Sequence, residues 1–154
     1  MNSEFKELYQ EIILEHNKAP RNFGKLEQAT HTMDGRNPLC GDHYKIYLQV
    51  EDGIIEEVRF EGSGCAISKA SASVMTTTIK GKTVEEAEEY FQKFHQIVTG
   101  ETDIEESFDS VGKIAAFAGV ADFPVRVKCA TLAWHTMHNI IQGKGSATTT
   151  EDKV

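Results

Sequence analysis

Residues 43–60 have the sequence His-Tyr-Lys-Ile-Tyr-Leu-Gln-Val-Glu-Asp-Gly-Ile-Ile-Glu-Glu-Val-Arg-Phe, and this stretch decides the fold. Apolar side chains occupy every second position from Tyr44 to Val50, which is the period of a half-buried strand. Residues 51–53, Glu-Asp-Gly, have the chemistry of a tight turn, and an alternating pattern resumes over 54–60. The stretch predicts an antiparallel hairpin with one face directed towards a core.

The remainder of the chain is mostly helical by its pattern of apolar residues. Before the hairpin, helical spacing predicts a helix that begins near Ser3, and a short strand is expected near 29–34. After it, the predicted elements are a helix over 66–79, a helix from a Thr83/Glu86 capping box to Gly100, a short helix near 111–118, an extended segment over 124–128 and a helix from Cys129 to Gly143. This order predicts an α+β fold in which helices pack on one face of a small antiparallel three-stranded sheet.

Length, composition and charge limit the functions that the chain can have. Its 154 residues, 40% of them hydrophobic, predict a single domain over 1–143 and a polar tail, 144–154, that contributes nothing to the core. No stretch approaches the roughly 20 apolar residues of a membrane span, and the charged start is unlike a secretory signal, so we expect a soluble, cytoplasmic protein. The net charge of −8 argues against nucleic acid as a partner.

The acidity is concentrated in one segment. Residues 84–110 contain nine Asp or Glu residues and one basic residue, Lys93. Such a run is most simply a solvated helix face and loop, and docking of a partner protein is the alternative.

Three cysteines carry the strongest chemical signal, because each lies at a predicted junction between a loop and an element. An odd number cannot all pair, and cytosolic cysteines stay reduced, so metal binding or catalysis is the better expectation. Gly41 allows a turn that directs Cys40 and Asp42 to one point. With Cys65 and Cys129, this set offers three thiolates and a carboxylate, which suits zinc. Taken singly, each cysteine is better explained by packing, and their spacing matches no zinc ribbon or finger.

Two of the cysteines are predicted to open helices. Free backbone N–H groups at a helix start favour negative charge, so Cys65 and Cys129 should be more thiolate-like than a free cysteine. Residues 62–64, Gly-Ser-Gly, would also let the backbone come close to a bound ion.

Histidines are weaker candidates for the same site. His135 and His138 lie three residues apart on the last predicted helix and are interpreted as surface or boundary residues. His43 follows Asp42, but the alternation of a strand should direct it to the opposite side.

Several motifs resemble one family. They are Asn-Pro-Leu-Cys-Gly-Asp at 37–42, Phe-Glu-Gly-Ser-Gly-Cys-Ala-Ile-Ser at 60–68, Ala-Ser-Ala-Ser-Val-Met at 70–75 and Phe-Pro-Val-Arg-Val-Lys-Cys-Ala-Thr-Leu at 123–132. The sequence resembles the IscU and NifU N-terminal family of iron–sulfur cluster assembly proteins, and within it the SufU branch of Gram-positive bacteria. The resemblance extends from about Leu8 to about Met137.

The resemblance implies a SufE/NifU-like α+β fold with zinc, or a transient iron–sulfur cluster, bound by Cys40, Asp42, Cys65 and Cys129. It implies a SufS-like cysteine desulfurase and other iron–sulfur assembly proteins as partners. Scaffold members of the family have a histidine before the third cysteine and a shorter connection between the second and third, whereas this chain has Lys128. Both departures resemble the SufU branch, which implies a zinc-dependent, sulfurtransferase-like acceptor with Cys40 as the persulfide acceptor.

Three other functions are weighed beside this one. A scaffold could assemble an iron–sulfur cluster on the same four residues. A zinc hydrolase or deaminase needs an open coordination position and a placed base, and the Cys-x-x-Cys and His-x-Glu signatures of such sites are absent from the sequence. A purely structural zinc is the remaining alternative.

Overall fold

The computed structural model of the chain describes residues 3–101, 112–143, 145 and 147–150. Its elements in chain order are α1 (Ser3–Lys18), β1 (His31–Asn37), β2 (Asp42–Glu51), β3 (Ile54–Ser63), α2 (Ala66–Ile79), α3 (Val84–Val98), a 3-10 helix (Gly112–Val120), α4 (Pro124–Gln142) and β4 (Ala147–Thr149). Residues 102–110 of the acidic segment, and residue 111 of the short helix predicted near 111–118, lie outside the described residues. None of the described helices is long and apolar enough to cross a membrane.

The predicted hairpin is confirmed as the centre of the sheet. β2 and β3 pair antiparallel, with Ile46 opposite Phe60 and Leu48 opposite Val58. All four of these side chains are fully buried. The turn between the strands has positive φ angles of 51° and 76° at its Asp-Gly pair, as a tight hairpin turn requires.

The sheet has four strands, in the order β3-β2-β1-β4, rather than the three predicted. The pairs formed by β1, β2 and β3 are antiparallel, whereas β4 lies parallel to β1, so the sheet is mixed. β1 occupies His31–Asn37, three residues beyond the end of the strand expected near 29–34. Its residues alternate weakly in hydrophobicity, and pairing with β2 rather than a local pattern determines its limits.

The polar tail supplies the fourth strand, so the expectation that residues 144–154 contribute nothing to the core is wrong for 147–150. Thr148 and Thr150 are 6% and 4% exposed. The backbone N–H of Thr150 donates to the carbonyl of Arg36 at 3.0 Å. Threonine is favourable in strands, and the edge of β1 that does not pair with β2 can accept another strand. Neither property leaves an alternating hydrophobic pattern in the sequence, so β4 could not be predicted from such a pattern.

The helices α2 and α4 pack on the sheet, with α2 against β3 and α4 against β1 and β2. A glycine in β1 makes the approach of α4 possible. A Cβ atom at Gly35 would collide with the hydroxyl of Thr136 and lie 3.2 Å from Cδ1 of Leu132. The other face of the sheet carries exposed residues such as His43 and Arg59.

Helix α4 begins at Pro124, so the predicted extended segment over 124–128 is wrong. Proline is favoured at the first helical position because its fixed φ suits the helix and its missing N–H has no partner there. Cys129 therefore lies in the second turn rather than at the helix start. By contrast, α3 begins with the predicted capping box, in which Thr83 and Glu86 each accept a hydrogen bond from the other's backbone N–H.

The histidines of α4 pack against α3. His138 is 2.8 Å from a carboxylate oxygen of Glu88 through Nδ1 and stacks on Phe91 with ring centres 4.4 Å apart. The His135 ring meets Phe91 edge-on at 5.0 Å. Burial lowers the pKa of His135 to about 4, and His95 and His138 add to the shift. These contacts agree with the interpretation of both residues as boundary histidines.

The pKa of His135 predicts a defined acid sensitivity. The unfolded chain takes up a proton near its ordinary pKa of 6.5, whereas the folded chain does so only near pH 4, so stability falls as the pH drops through this window. Between pH 7 and 5 the loss from this one group should be about 1–2 kcal/mol. When the free energy of unfolding of the metal-free protein is measured in urea, the difference between its values at pH 7 and pH 5 should be smaller by that amount in His135→Gln than in wild type. An equal dependence in both proteins would contradict the assignment.

Candidate metal centre

The connection between β1 and β2 presents a thiol and a carboxylate. Gly41 has a φ of +72°, which allows the predicted tight turn between them. Cys40 lies exposed in this turn, whereas Asp42, the first residue of β2, is 1% exposed. The chain thus places an accessible sulfur beside a buried negative charge.

Helix α4 brings a second thiol to the same point. Cys129 is 3% exposed, and its Sγ lies 3.2 Å from the Sγ of Cys40. One ligand atom each from Cys40, Asp42 and Cys129 lie within 4.8 Å of one another. In the described part of the chain, no other group of three or more His, Cys, Asp or Glu residues meets this criterion.

The third cysteine borders this group. Cys65 is the N-cap of α2, where its sulfur accepts the backbone N–H of Ser68 at 3.4 Å, so its predicted place at a helix start is confirmed. Its own backbone N–H donates to Oδ1 of Asp42 at 2.8 Å. The Cys65 side chain also acts on the pKa of Cys129, which places it beside the other thiols. It lies outside the tightest group of ligand atoms.

The segment before Cys65 passes close to β2, and two glycines make this possible. A Cβ atom at Gly62 would collide with the carbonyl oxygen of His43. One at Gly64 would lie 2.5 Å from Oδ1 of Asp42 and 2.6 Å from the hydroxyl of Tyr44. The backbone here approaches the carboxylate ligand candidate, and its approach to a bound ion stays a prediction.

A buried asparagine that sequence reasoning missed completes the surroundings of the carboxylate. Asn37 is 0% exposed, and its Nδ2 donates to Oδ2 of Asp42 at 3.0 Å and to Sγ of Cys129 at 3.4 Å. Both carboxylate oxygens therefore have a donor. Asn37 is the first residue of the motif 37–42, and this membership was the signal available in the sequence.

Burial raises the pKa of the Cys129 thiol well above its ordinary value, and the neighbouring thiols of Cys40 and Cys65 and the charge of Asp42 act in the same direction. The expectation that Cys129 is thiolate-like is therefore wrong for the metal-free chain. The physical reason is the early start of α4, which leaves no free N–H group at Cys129.

The donor set has the chemistry of a site for a soft divalent cation. A buried thiol next to a buried carboxylate, as at Cys129, becomes a thiolate only where a positive charge compensates it. Sulfur and carboxylate donors together fit zinc and do not fit magnesium or calcium, which select oxygen ligands. The residues present thus fit the zinc that the sequence predicted.

The remaining residues considered from the sequence lie outside the group formed by Cys40, Asp42 and Cys129. His43 is directed to the other face of the sheet, as predicted, with Nε2 3.4 Å from Oδ1 of Asp34. His135 and His138 surround Phe91 between α3 and α4. Lys128 is half-buried beside Cys129 in α4.

Comparisons with known proteins find similar sequences over most of the chain. Residues 8–130 match the model of the NifU-like N terminal domain family. The zinc-dependent sulfurtransferase SufU of Bacillus subtilis is 41% identical over 136 residues, which are 88% of this chain and 90% of that protein. The iron–sulfur cluster assembly scaffold protein IscU of Thermotoga maritima is 38% identical over 140 residues, covering 90% and 95%.

A solved structure shares the fold closely. It is the crystal structure of a candidate iron–sulfur cluster assembly scaffold protein for the SUF system from Fervidobacterium islandicum. It is 37% identical, superposes with a TM-score of 0.79, and the match covers 88% of this chain and 97% of that chain.

The close approach at Gly64 predicts a sensitive position. Gly64→Ala should push against Asp42 and Tyr44, weaken zinc binding about 10–100-fold and destabilise the fold by about 1–3 kcal/mol. Gly119→Ala is the control, because nothing lies within 4 Å of the added Cβ atom there. Chelator competition measures the zinc affinity, and thermal unfolding measures the stability of the fold. If Gly64→Ala bound zinc as tightly as the wild type, the close approach of Gly64 to Asp42 would not determine the geometry of the site.

Proposed function

The chain belongs to the family of NifU-like N-terminal domains, and we propose from this premise that it accepts persulfide sulfur from a cysteine desulfurase for iron–sulfur cluster assembly. In this proposal Cys40, Asp42, Cys65 and Cys129 hold zinc. The observation that carries it is the convergence of ligand atoms from Cys40, Asp42 and Cys129 within 4.8 Å. The similarity to the zinc-dependent sulfurtransferase of Bacillus subtilis supports the zinc dependence and the sulfur transfer.

Cys40 is the proposed acceptor because its thiol is exposed, whereas Cys129 is buried and Cys65 is half-buried as a helix cap. Its thiolate attacks the outer sulfur of the desulfurase persulfide. A new S–S bond forms at Cys40 while the S–S bond within the desulfurase persulfide breaks. The electron pair of that bond leaves with the desulfurase cysteine, which takes up a proton, so no external oxidant or reductant is needed.

Bound zinc would supply the deprotonated state of the cysteine sulfurs at neutral pH, so that this attack needs no additional base. The chain's own residues supply the remaining requirements. Asp42 contributes a fixed oxygen, held by the N–H of Cys65 and the amide of Asn37. Cys129 contributes a sulfur that solvent cannot reach.

The proposed partner is a SufS-like desulfurase in the reducing cytoplasm, and exposed apolar side chains near the site support a protein partner. Leu39, next to the acceptor cysteine, is 57% exposed. Phe123 and Val125, at the start of the helix that carries Cys129, are 48% and 50% exposed. Apolar groups of this size are typical of the buried parts of protein interfaces.

A cluster scaffold is the second candidate, favoured by the names of the Thermotoga and Fervidobacterium proteins. Against it stands Lys128, at the position where the family resemblance implies a histidine in scaffold members. A protonated ammonium group has no lone pair for a metal. We therefore propose sulfur acceptance as the main function.

The acceptor assignment predicts where sulfur appears. After incubation with a desulfurase and cysteine, mass spectrometry should find persulfide on Cys40 of the zinc-loaded wild type and none on Cys40→Ser. Asp42→Ala should mainly lower the affinity for zinc, because a carboxylate contributes charge and geometry to the site but cannot carry sulfur. A persulfide found only on Cys65 or Cys129 would contradict the assignment.

The position of Lys128 predicts poor cluster assembly. Under anaerobic conditions with iron, desulfurase and cysteine, wild-type protein should develop only a weak cluster chromophore, whereas Lys128→His should retain more cluster because imidazole can bind iron. Lys128→Arg is the matched control, since it keeps the charge and adds no ligand. A stable wild-type cluster that passes quickly to an apo-protein would favour the scaffold.

A further inference from the structure

We propose that residues 147–150, which comprise β4 and the residue after it, are a functional part of the candidate metal centre, in which Thr150 acts as a positioning residue through Asn37 on Asp42 and Cys129. This inference rests on the proposed metal site and deepens it. It assigns a role to a polar segment that lies more than one hundred residues along the chain from Asn37, at a separation of 113.

The first step is the orientation of the Asn37 amide. Its Nδ2 carries two hydrogens, and the two acceptors within reach are Oδ2 of Asp42 at 3.0 Å and Sγ of Cys129 at 3.4 Å. If the amide were turned over, its oxygen would face the carboxylate oxygen and the sulfur. Two buried acceptors would then lack donors, which costs free energy at each of them.

The second step is the contact that holds the amide in this orientation. The hydroxyl of Thr150 donates to Oδ1 of Asn37 at 2.9 Å, and an amide oxygen can only accept. Thr150 is 4% exposed, and its backbone N–H is held by the carbonyl of Arg36 at 3.0 Å. The Asp42 carboxylate, which can only accept, selects this orientation of the amide, and the hydroxyl bond to Oδ1 holds the amide there with both N–H groups directed at the ligand candidates.

The third step separates this role from simple attachment of the strand. The neighbouring Thr148 is buried to a similar degree, but its hydroxyl accepts from Nδ2 of Asn139 at 2.9 Å and contacts the sulfur of Met33 at 3.3 Å. Thr148 thus holds β4 against α4 and β1 without a contact to Asn37. The two threonines provide a matched pair, one facing the site and one facing the core.

The oriented Asn37 amide acts on two of the ligand candidates, Asp42 and Cys129. Hydrogen bonds from an amide to a carboxylate and to a thiolate stabilise their charged forms, and such outer contacts orient metal ligands. Within the described residues, the hydrogen-bond partner of the Cys40 sulfur is the Cys129 thiol, and no amide donates to it. The Asn37 amide therefore holds Asp42 and Cys129, and not Cys40, among the ligand candidates.

The test compares zinc affinity across three variants by chelator competition. Thr150→Val should bind zinc about 10–100-fold more weakly than wild type, because the Asn37 amide loses the contact that holds it in its orientation. Thr150→Ser keeps the hydroxyl and should restore wild-type affinity. Thr148→Val, the matched control, should leave the affinity unchanged. The visible spectrum of cobalt-substituted protein gives a second readout, and it should change in Thr150→Val alone.

The outcomes separate this inference from the proposed function. Wild-type affinity and an unchanged cobalt spectrum in Thr150→Val would overturn the inference alone. An equal loss in Thr148→Val would also overturn it, because strand attachment would then explain the effect. Urea unfolding of the metal-free variants measures that attachment independently. Wild-type protein that binds neither zinc nor cobalt would overturn both proposals.

Discussion

A buried carboxylate must find hydrogen-bond donors, and the donors around Asp42 hold the candidate metal centre together. Its Oδ1 accepts the backbone N–H of Cys65 and its Oδ2 accepts the amide of Asn37, at 2.8 and 3.0 Å. These two bonds join the start of β2 to the entrance of α2 and to the end of β1. Leaving such a charge without partners costs several kcal/mol, so one side chain restricts how three elements can be placed.

The same burial creates the demand for a cation. The sulfurs of Cys40 and Cys129 lie 3.2 Å apart beside the carboxylate, and burial raises the pKa of the Cys129 thiol. Without a positive charge nearby, the buried Cys129 thiol stays protonated. A soft divalent ion that bound the same atoms would relieve the repulsion, so folding, proton release and the proposed sulfur chemistry would be coupled at one place.

Local patterns explain which elements the sequence predicts well. The hairpin of β2 and β3, the helix over 66–79 and the capping box at Thr83 depend on residues close together in the chain, and all three are present. The start of α4 was misjudged because Pro124 can begin a helix as well as an extended segment. β4 was missed because threonines that pair with an open strand edge leave no hydrophobic signature.

The sequence by itself determined the family, the α+β class and the chemical identity of the donors, since motifs and alternation are properties of neighbouring residues. Only the tertiary structure decided that Cys40 and Cys129, 89 residues apart, bring their sulfurs together. It also decided that Asn37 and Thr150 surround them and that Cys129 lies inside a helix. These features depend on contacts between distant segments, which form when the sheet and helices pack and which no local pattern records.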